Sequence, residues 1–89
     1  MTSFEKKVYR AVLRIPLGQT RTYKWVARQI GKPKAARAVG QALKKNPWTV
    51  IIPSHRVVAS GGKLGGYSKG LKTKKRLLDL ERQIKKLVL

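Results

Sequence analysis

A hydroxyl, an imidazole and a guanidinium stand side by side at Ser54-His55-Arg56, between the apolar pairs Ile51-Ile52 and Val57-Val58, with Pro53 at the break. A proline inside a β-branched run reads as a short buried segment broken by an exposed polar turn. His55 is the only histidine, and the acids are just Glu5, Asp79 and Glu81. Glu5 fits a capping box with Thr2 as N-cap. Asp79 falls on a solvated helix face, in pairing range of Arg76, Lys75 or Arg82. Glu81 lies four residues after Leu77 and three before Ile84, at the edge of an apolar stripe. A carboxylate there needs a partner. That partner is either one of the many Lys and Arg side chains or His55, whose imidazole a carboxylate would orient and make more basic.

Ser54-His55 invites a serine-hydrolase reading, which the surroundings do not support. There is no Gly-x-Ser-x-Gly elbow. Neighbours in an extended segment point to opposite sides, so His55 would not meet Ser54 directly. The chain holds 22 Lys and Arg against 3 Asp and Glu, a net charge of +19 that does not suit small neutral substrates. Self-repulsion at this density points to a polyanionic partner, nucleic acid before membrane surface. No apolar run is long enough to span a bilayer, and no signal-peptide pattern opens the sequence. With no cysteine there is no disulfide framework, no thiolate metal site and no thiol nucleophile. Length allows one domain, residues 1–89.

Several helices must position the polar turn. The first follows Thr2, carries Phe4, Val8, Ala11, Val12 and Ile15 inward, and ends at Pro16 and Gly18. Thr22 caps a second, with Tyr23, Val26, Ala27 and Ile30 as its stripe and Gly31 just past its end. A third runs from about Lys34 to Lys45, with Pro33 in its first turn. Its inner side is Ala35, Ala36, Val39, Ala42 and Leu43, and Lys34, Arg37, Gln41 and Lys44 recur on the other. This pair forms a helix-turn-helix pattern whose second helix has a basic outer face, as a recognition helix does. Trp48 to Ile52 is β-rich and expected to be buried, and Val57-Val58-Ala59 can form a second short strand. Ser60 to Tyr67 is a glycine-rich loop or wing without the Gly-Lys-Ser/Thr ending of a nucleotide-binding loop. A last helix starts near Gly70 to Thr73, with Leu77, Leu80, Ile84 and Leu87 as its apolar stripe. The fold class expected is mainly α: a winged-helix-like domain with a helix-turn-helix at Tyr23 to Lys45 and a short β element.

Motifs in a fixed order carry a more specific resemblance. They are Thr22-Tyr23, then Pro33-Lys34-Ala35-Ala36-Arg37-Ala38-Val39-Gly40, then Asn46-Pro47. Ile52-Pro53-Ser54-His55-Arg56-Val57-Val58 follows, then Gly66-Tyr67-Ser68 and Leu77-Leu78-Asp79-Leu80-Glu81. Together they cover nearly the whole chain, which resembles the DNA-binding, active-site domain of the O6-alkylguanine-DNA alkyltransferases, the methylated-DNA–protein-cysteine methyltransferases.

The resemblance implies minor-groove binding by the helix-turn-helix, with the target guanine flipped out of the stack. It implies that Arg37 fills the vacated place, while the small neighbours Ala36, Ala38 and Gly40 allow close approach. Tyr23 would lie near the rotated phosphate and the base, and Asn46 would support the active-site turn. Val57, Tyr67 and Ser68 would form the base pocket. His55 and Glu81 would be the pair that, through a water, removes the nucleophile's proton.

The departure is at Ser54, where the family has cysteine and transfers the alkyl group irreversibly to sulfur. A cysteine can be brought to thiolate by a neighbouring base, since its free pKa is about 8.5. An alkanol is a far weaker acid and a poorer nucleophile towards an alkyl carbon, so no transfer is expected from the chain as it stands. Such a serine arises either by engineered inactivation or in a natural alkyltransferase-like lesion sensor that recruits excision repair. Retention of every other catalytic residue favours the first. The expectations are therefore a monomer on duplex DNA containing O6-alkylguanine, with no cofactor, metal or membrane. Its place would be the cytoplasm or nucleoid, or the nucleus in a eukaryote.

Overall fold

The first helix begins as its capping box dictates. The Glu5 amide donates to the Thr2 hydroxyl at 3.0 Å and the Thr2 amide donates to the Glu5 carboxylate at 2.9 Å, satisfying two otherwise free amides at the start of α1, Ser3–Leu13. The computed structural model describes residues 1–48, 50–67 and 69–88, and among these it holds four α-helices and one two-stranded parallel sheet. Strand β1 is Arg21–Thr22, and Thr22 then caps α2, Tyr23–Gln29, accepting from the Trp25 amide at 3.0 Å. Gly31 has φ +73°, the left-handed conformation expected just past that helix.

Helix α3 is Ala36–Lys44, two residues shorter at its start than the basic periodicity suggests. Lys32 to Ala35 form a turn closed by the Ala35 amide on the Lys32 carbonyl at 2.9 Å. Pro33 and Lys34 lie in that turn, not in the helix, and no side chain caps the first amides of α3. Three helices build the core. Val8, Ala11, Val12 and Ile15 from the α1 side meet Val26 and Ala27 of α2 and Val39, Ala42 and Leu43 of α3, with Ile52 and Val57 closing it. The buried Tyr9 hydroxyl donates to the Ala42 carbonyl at 2.7 Å, tying α1 to the last turn of α3.

Two expectations for the remainder are overturned. Among the described residues of Trp48 to Ile52 there is no buried strand: Trp48, Val50 and Ile51 are exposed, Ile51 at 74%, and Ile52 reaches the core. The segment is a turn closed by the Ile52 amide on the Trp48 carbonyl at 2.9 Å, with Val50 at φ +76°, and Thr49 lies outside the described residues. A turn needs no β-branched pairing partner, so the apolar run marks protrusion here and not burial. The second concerns α4, Leu71–Val88. Three residues of its expected stripe face outward, Leu80, Ile84 and Leu87, exposed at 43%, 46% and 84%, while Leu77 is half-buried. The buried face is Lys74, Leu78 and Glu81, at spacings of four and three. The helix is rotated because Lys74 and Glu81 find hydrogen-bonding partners inward, which outweighs burying three aliphatic side chains. Asp79 pairs with Arg82 on the surface at 3.6 Å, as expected.

Strand β2, Val57–Val58, pairs in parallel with β1, Arg21 facing Val57 and Thr22 facing Val58. Since Thr22 is also the cap of α2, this pairing brings Tyr23 beside the segment that follows the Ser-His-Arg turn. The fold is thus the mainly helical one expected, with the small sheet serving to join the helix-turn-helix to the polar turn.

Candidate active site and nucleic-acid interface

Ser54–Arg56 forms the turn expected at the Pro53 break, as one turn of 3-10 helix, but Ser54 and His55 are buried in it and not exposed as expected. Pro53, with φ −78°, removes one amide donor at the entry, and the Arg56 amide closes on its carbonyl at 2.9 Å. The turn buries Ser54 and His55, the latter completely. Asn46 supports it from below. Its side-chain amide donates to the Ile52 carbonyl at 3.1 Å while its carbonyl oxygen accepts from the Trp48 amide at 2.9 Å.

Glu81 reaches the turn from α4 and takes both candidate partners at once. His55 Nε2 lies 2.8 Å from Glu81 Oε2. Arg56 donates from Nε to Oε1 at 2.9 Å and from Nη2 to Oε2 at 2.7 Å, a bidentate fork, and its Nη1 donates to the Ile15 carbonyl at 2.8 Å. Burial alone would raise the Glu81 pKa, but hydrogen bonds from Arg56 and then His55 hold the carboxyl below its ordinary value. A charged Glu81 fixes which His55 nitrogen faces α4 and leaves Nδ1, buried and without a protein partner among the described residues, facing away from it. The Tyr67 ring meets His55 edge-on with centroids 6.4 Å apart, and burial raises the pKa of its phenol.

In front of the turn opens a cavity of about 410 Å³. Ser54 and Tyr67 line it from the turn side, and Tyr23, Ala36, Arg37, Gln41 and Lys44 from the helix-turn-helix. The basic face of α3 and the polar turn therefore share one hollow. Arg37 is exposed at its edge. Lys34, in the turn before α3, does not line it. Val57 does not either: its side chain is fully buried in the core. Ser68 lies outside the described residues. Tyr23, whose phenol pKa burial also raises, donates to the Gly66 carbonyl at 3.3 Å, and so ties α2 to the glycine-rich loop.

The sequence singles out Arg56 in the polar turn without assigning it to Glu81, and it places Lys74 on a face of the last helix away from the apolar stripe, whereas the side chain is buried. Arg56 directly follows His55, and a tight turn could have placed both on one carboxylate. Lys74 precedes Glu81 by seven residues, two helical turns, so an inward Glu81 carries Lys74 inward with it. Lys24, Gly40, Leu43, Ala59, Ser60 and Gly66 complete the cavity lining. Among the described residues no three His, Cys, Asp or Glu side chains group as metal ligands, and no helix is long and apolar enough to cross a membrane.

The chain is similar to known proteins along most of its length. Residues 3–83 match the family model described as 6-O-methylguanine DNA methyltransferase, DNA binding domain. A methylated-DNA–protein-cysteine methyltransferase of Methanosarcina barkeri is 56% identical over 80 residues, which cover 90% of this chain and 51% of that protein. The chain thus spans about half the length of the curated relatives it matches. The crystal structure of Mycobacterium tuberculosis OGT in complex with DNA superposes with a TM-score of 0.91 at 49% identity, over 93% of this chain and 52% of that one. S. pombe Atl1, in complex with damaged DNA containing O6-carboxymethylguanine, superposes at 0.80 with 43% identity, over 91% of this chain and 77% of that one. With four-fifths or more of its length matched at these identities, the chain belongs to the 6-O-methylguanine DNA methyltransferase family, as its DNA-binding domain.

Proposed function

We propose that this chain binds duplex DNA through α3 and receives an O6-alkylguanine, flipped from the stack, in the cavity between α3 and the Ser54–Arg56 turn. The observation that carries the proposal is the shared hollow: Arg37 and Lys44 of the basic helix line the same cavity as Ser54 and Tyr67. Its volume, about 410 Å³, lies in the range of pockets that enclose a small ligand. Extruding a base from a duplex costs a few kcal/mol, and a side chain such as Arg37 that fills the gap offsets part of it. The net charge of +19 supplies sequence-independent attraction to phosphates.

The parent reaction of this site is transfer of the alkyl group to residue 54: a bond from that residue's side chain to the alkyl carbon forms as the carbon–O6 bond breaks. His55, held by Glu81 and Arg56, is the group placed to take the nucleophile's proton through a water. With serine at position 54 the nucleophile is an alcohol. Binding and recognition are therefore retained, and transfer is negligible.

Ser54→Cys is the test. A single-turnover assay with duplex DNA carrying labelled O6-methylguanine should show label on the Ser54→Cys protein and none on the parent. A folded, DNA-binding Ser54→Cys protein that takes no label would refute the catalytic lineage. It would favour a second reading, suggested by the cysteine-free sequence and the likeness to S. pombe Atl1: a lesion sensor that recruits excision repair. Equal affinity of the parent for duplexes with and without O6-methylguanine, at several salt concentrations, would refute lesion recognition itself.

A further inference from the structure

Among the described residues Lys74 is the largest fully buried side chain, at 0% exposure, and nothing in the proposed chemistry uses it. Its ammonium donates to the carbonyls of Val57 at 2.7 Å, Gly66 at 3.2 Å and Leu64. Three acceptors use all three N–H donors of an ammonium group. None is a carboxylate, and burial lowers the Lys74 pKa from 10.5 to about 8. A methionine could occupy similar volume without desolvating a charge, so packing alone does not account for a lysine here. What the lysine adds is attachment. Val57 belongs to β2, directly after the Ser-His-Arg turn, while Leu64 and Gly66 belong to the glycine-rich loop that leads to Tyr67. Lys74 Nζ also lies 5.9 Å from the centroid of the Tyr23 ring. The loop backbone presses on the same ring: a Cβ at Gly65 would fall 2.9 Å from Tyr23 Cε2. One buried ammonium therefore joins α4, β2 and the loop, beside the tyrosine at the head of α2.

We infer that Lys74 is a positioning residue: through the Leu64 and Gly66 carbonyls it holds the glycine-rich loop against Tyr23, and so sets the preference of the pocket for an alkylated base over unmodified duplex. The claim about preference rests on the function proposed above; the claim about the loop does not. Lys74→Met removes the donors and keeps the bulk. The ratio of affinities for an O6-methylguanine duplex and its unmodified counterpart, read by fluorescence anisotropy at one salt concentration, should fall about ten-fold or more. Affinity for the unmodified duplex should stay within about two-fold, with the same salt slope, because a buried Nζ touches no phosphate. Amide hydrogens of residues 61–66 should exchange about ten-fold faster while those of the α1–α3 core keep their protection. Where Lys74→Met does not fold, Lys74→Gln, which has a shorter side chain and at most two N–H donors for the three carbonyls, carries the same measurements with a smaller fall in the affinity ratio, about three-fold.

An unchanged affinity ratio in a folded variant overturns the functional claim, and unchanged loop exchange overturns the attachment. A parallel loss on both duplexes, with faster exchange throughout the chain, overturns both and leaves Lys74 a general stabiliser. A parent chain without lesion preference removes the proposed function and the preference claim with it, while the exchange data still decide the attachment.

Discussion

Glu81→Gln separates the structural from the catalytic part of the site. The substitution keeps shape and one acceptor oxygen but removes the charge that receives one contact from His55 and two from Arg56. Removing one partner of a buried ion pair costs about 3–5 kcal/mol. This pair is not sealed, since the Arg56 and Glu81 side chains are 15% and 11% exposed, and glutamine retains an acceptor. The expected loss is therefore about 2–3 kcal/mol. For a domain of this size each kcal/mol moves Tm by about 5 °C, so at pH 7 the midpoint should drop by about 10–15 °C. The pH dependence has a definite sign. The Glu81 carboxyl is held below 4.5 in the folded chain, so between its folded and unfolded pKa values the unfolded chain binds more protons. The stabilisation is complete above the ordinary carboxylate range and is lost as pH falls through the folded pKa. Melting parent and variant by circular dichroism from pH 7 down to pH 3 should thus show a gap that narrows on acidification. In a Ser54→Cys background, below both midpoints, Glu81→Gln should also slow transfer by about 10²-fold, because it removes the charge that orients His55, the base, and makes it more basic. A midpoint within about 3 °C of the parent at pH 7, or a gap that stays constant into acid, would refute the assignment of Glu81 as the anchor of the turn.

Three further outcomes follow from particular contacts. Arg37→Ala should weaken binding to a lesion duplex about ten-fold more than binding to a lesion-bearing single strand, because only a duplex leaves a gap to fill; equal losses in an anisotropy titration would remove Arg37 from that role. Asn46→Ala leaves the Ile52 carbonyl and the Trp48 amide without their partner, so urea denaturation should show a loss of about 1–3 kcal/mol, and a change below about 0.5 kcal/mol would contradict the supporting role. Gly65→Ala places a Cβ 2.9 Å from Tyr23 Cε2 at φ +72°, with an expected loss of about 1–3 kcal/mol. Gly66→Ala, where no atom lies within 4 Å, is the control and should be near neutral in the same melts.

The parts of the fold that were legible in advance are those decided within a few residues. The capping box of Thr2 and Glu5, the Thr22 cap, the left-handed Gly31 and the core stripe of α1 are local patterns, and each appears as expected. The start of α3 was misplaced because Lys34 continues the basic periodicity although the Lys32 to Ala35 turn has not yet closed into helix. Trp48 to Ile51 was misjudged for a related reason. Composition reports what a segment could bury, and only the surrounding structure reports whether a surface exists to receive it.

By itself the sequence determined the helix-turn-helix, the net charge of +19, the motif order that marks the family and the alcohol at position 54. All of these are properties of residue type and short-range spacing. Only the tertiary structure decided the orientation of α4. Hydrophobic periodicity favours Leu77, Leu80, Ile84 and Leu87 as the inward face, with Leu78 beside it, yet the helix turns Lys74, Leu78 and Glu81 inward and leaves Leu80, Ile84 and Leu87 exposed. The reason is physical: Glu81 meets the His55–Arg56 turn and Lys74 meets three carbonyls, and these partners come from segments more than a helical turn away in sequence. Strong charge-assisted hydrogen bonds in a shielded site outweigh the burial of aliphatic side chains that can remain half in water. That rotation brings the carboxylate to the imidazole and the ammonium to the loop, and it is decided by partners that lie outside the helix.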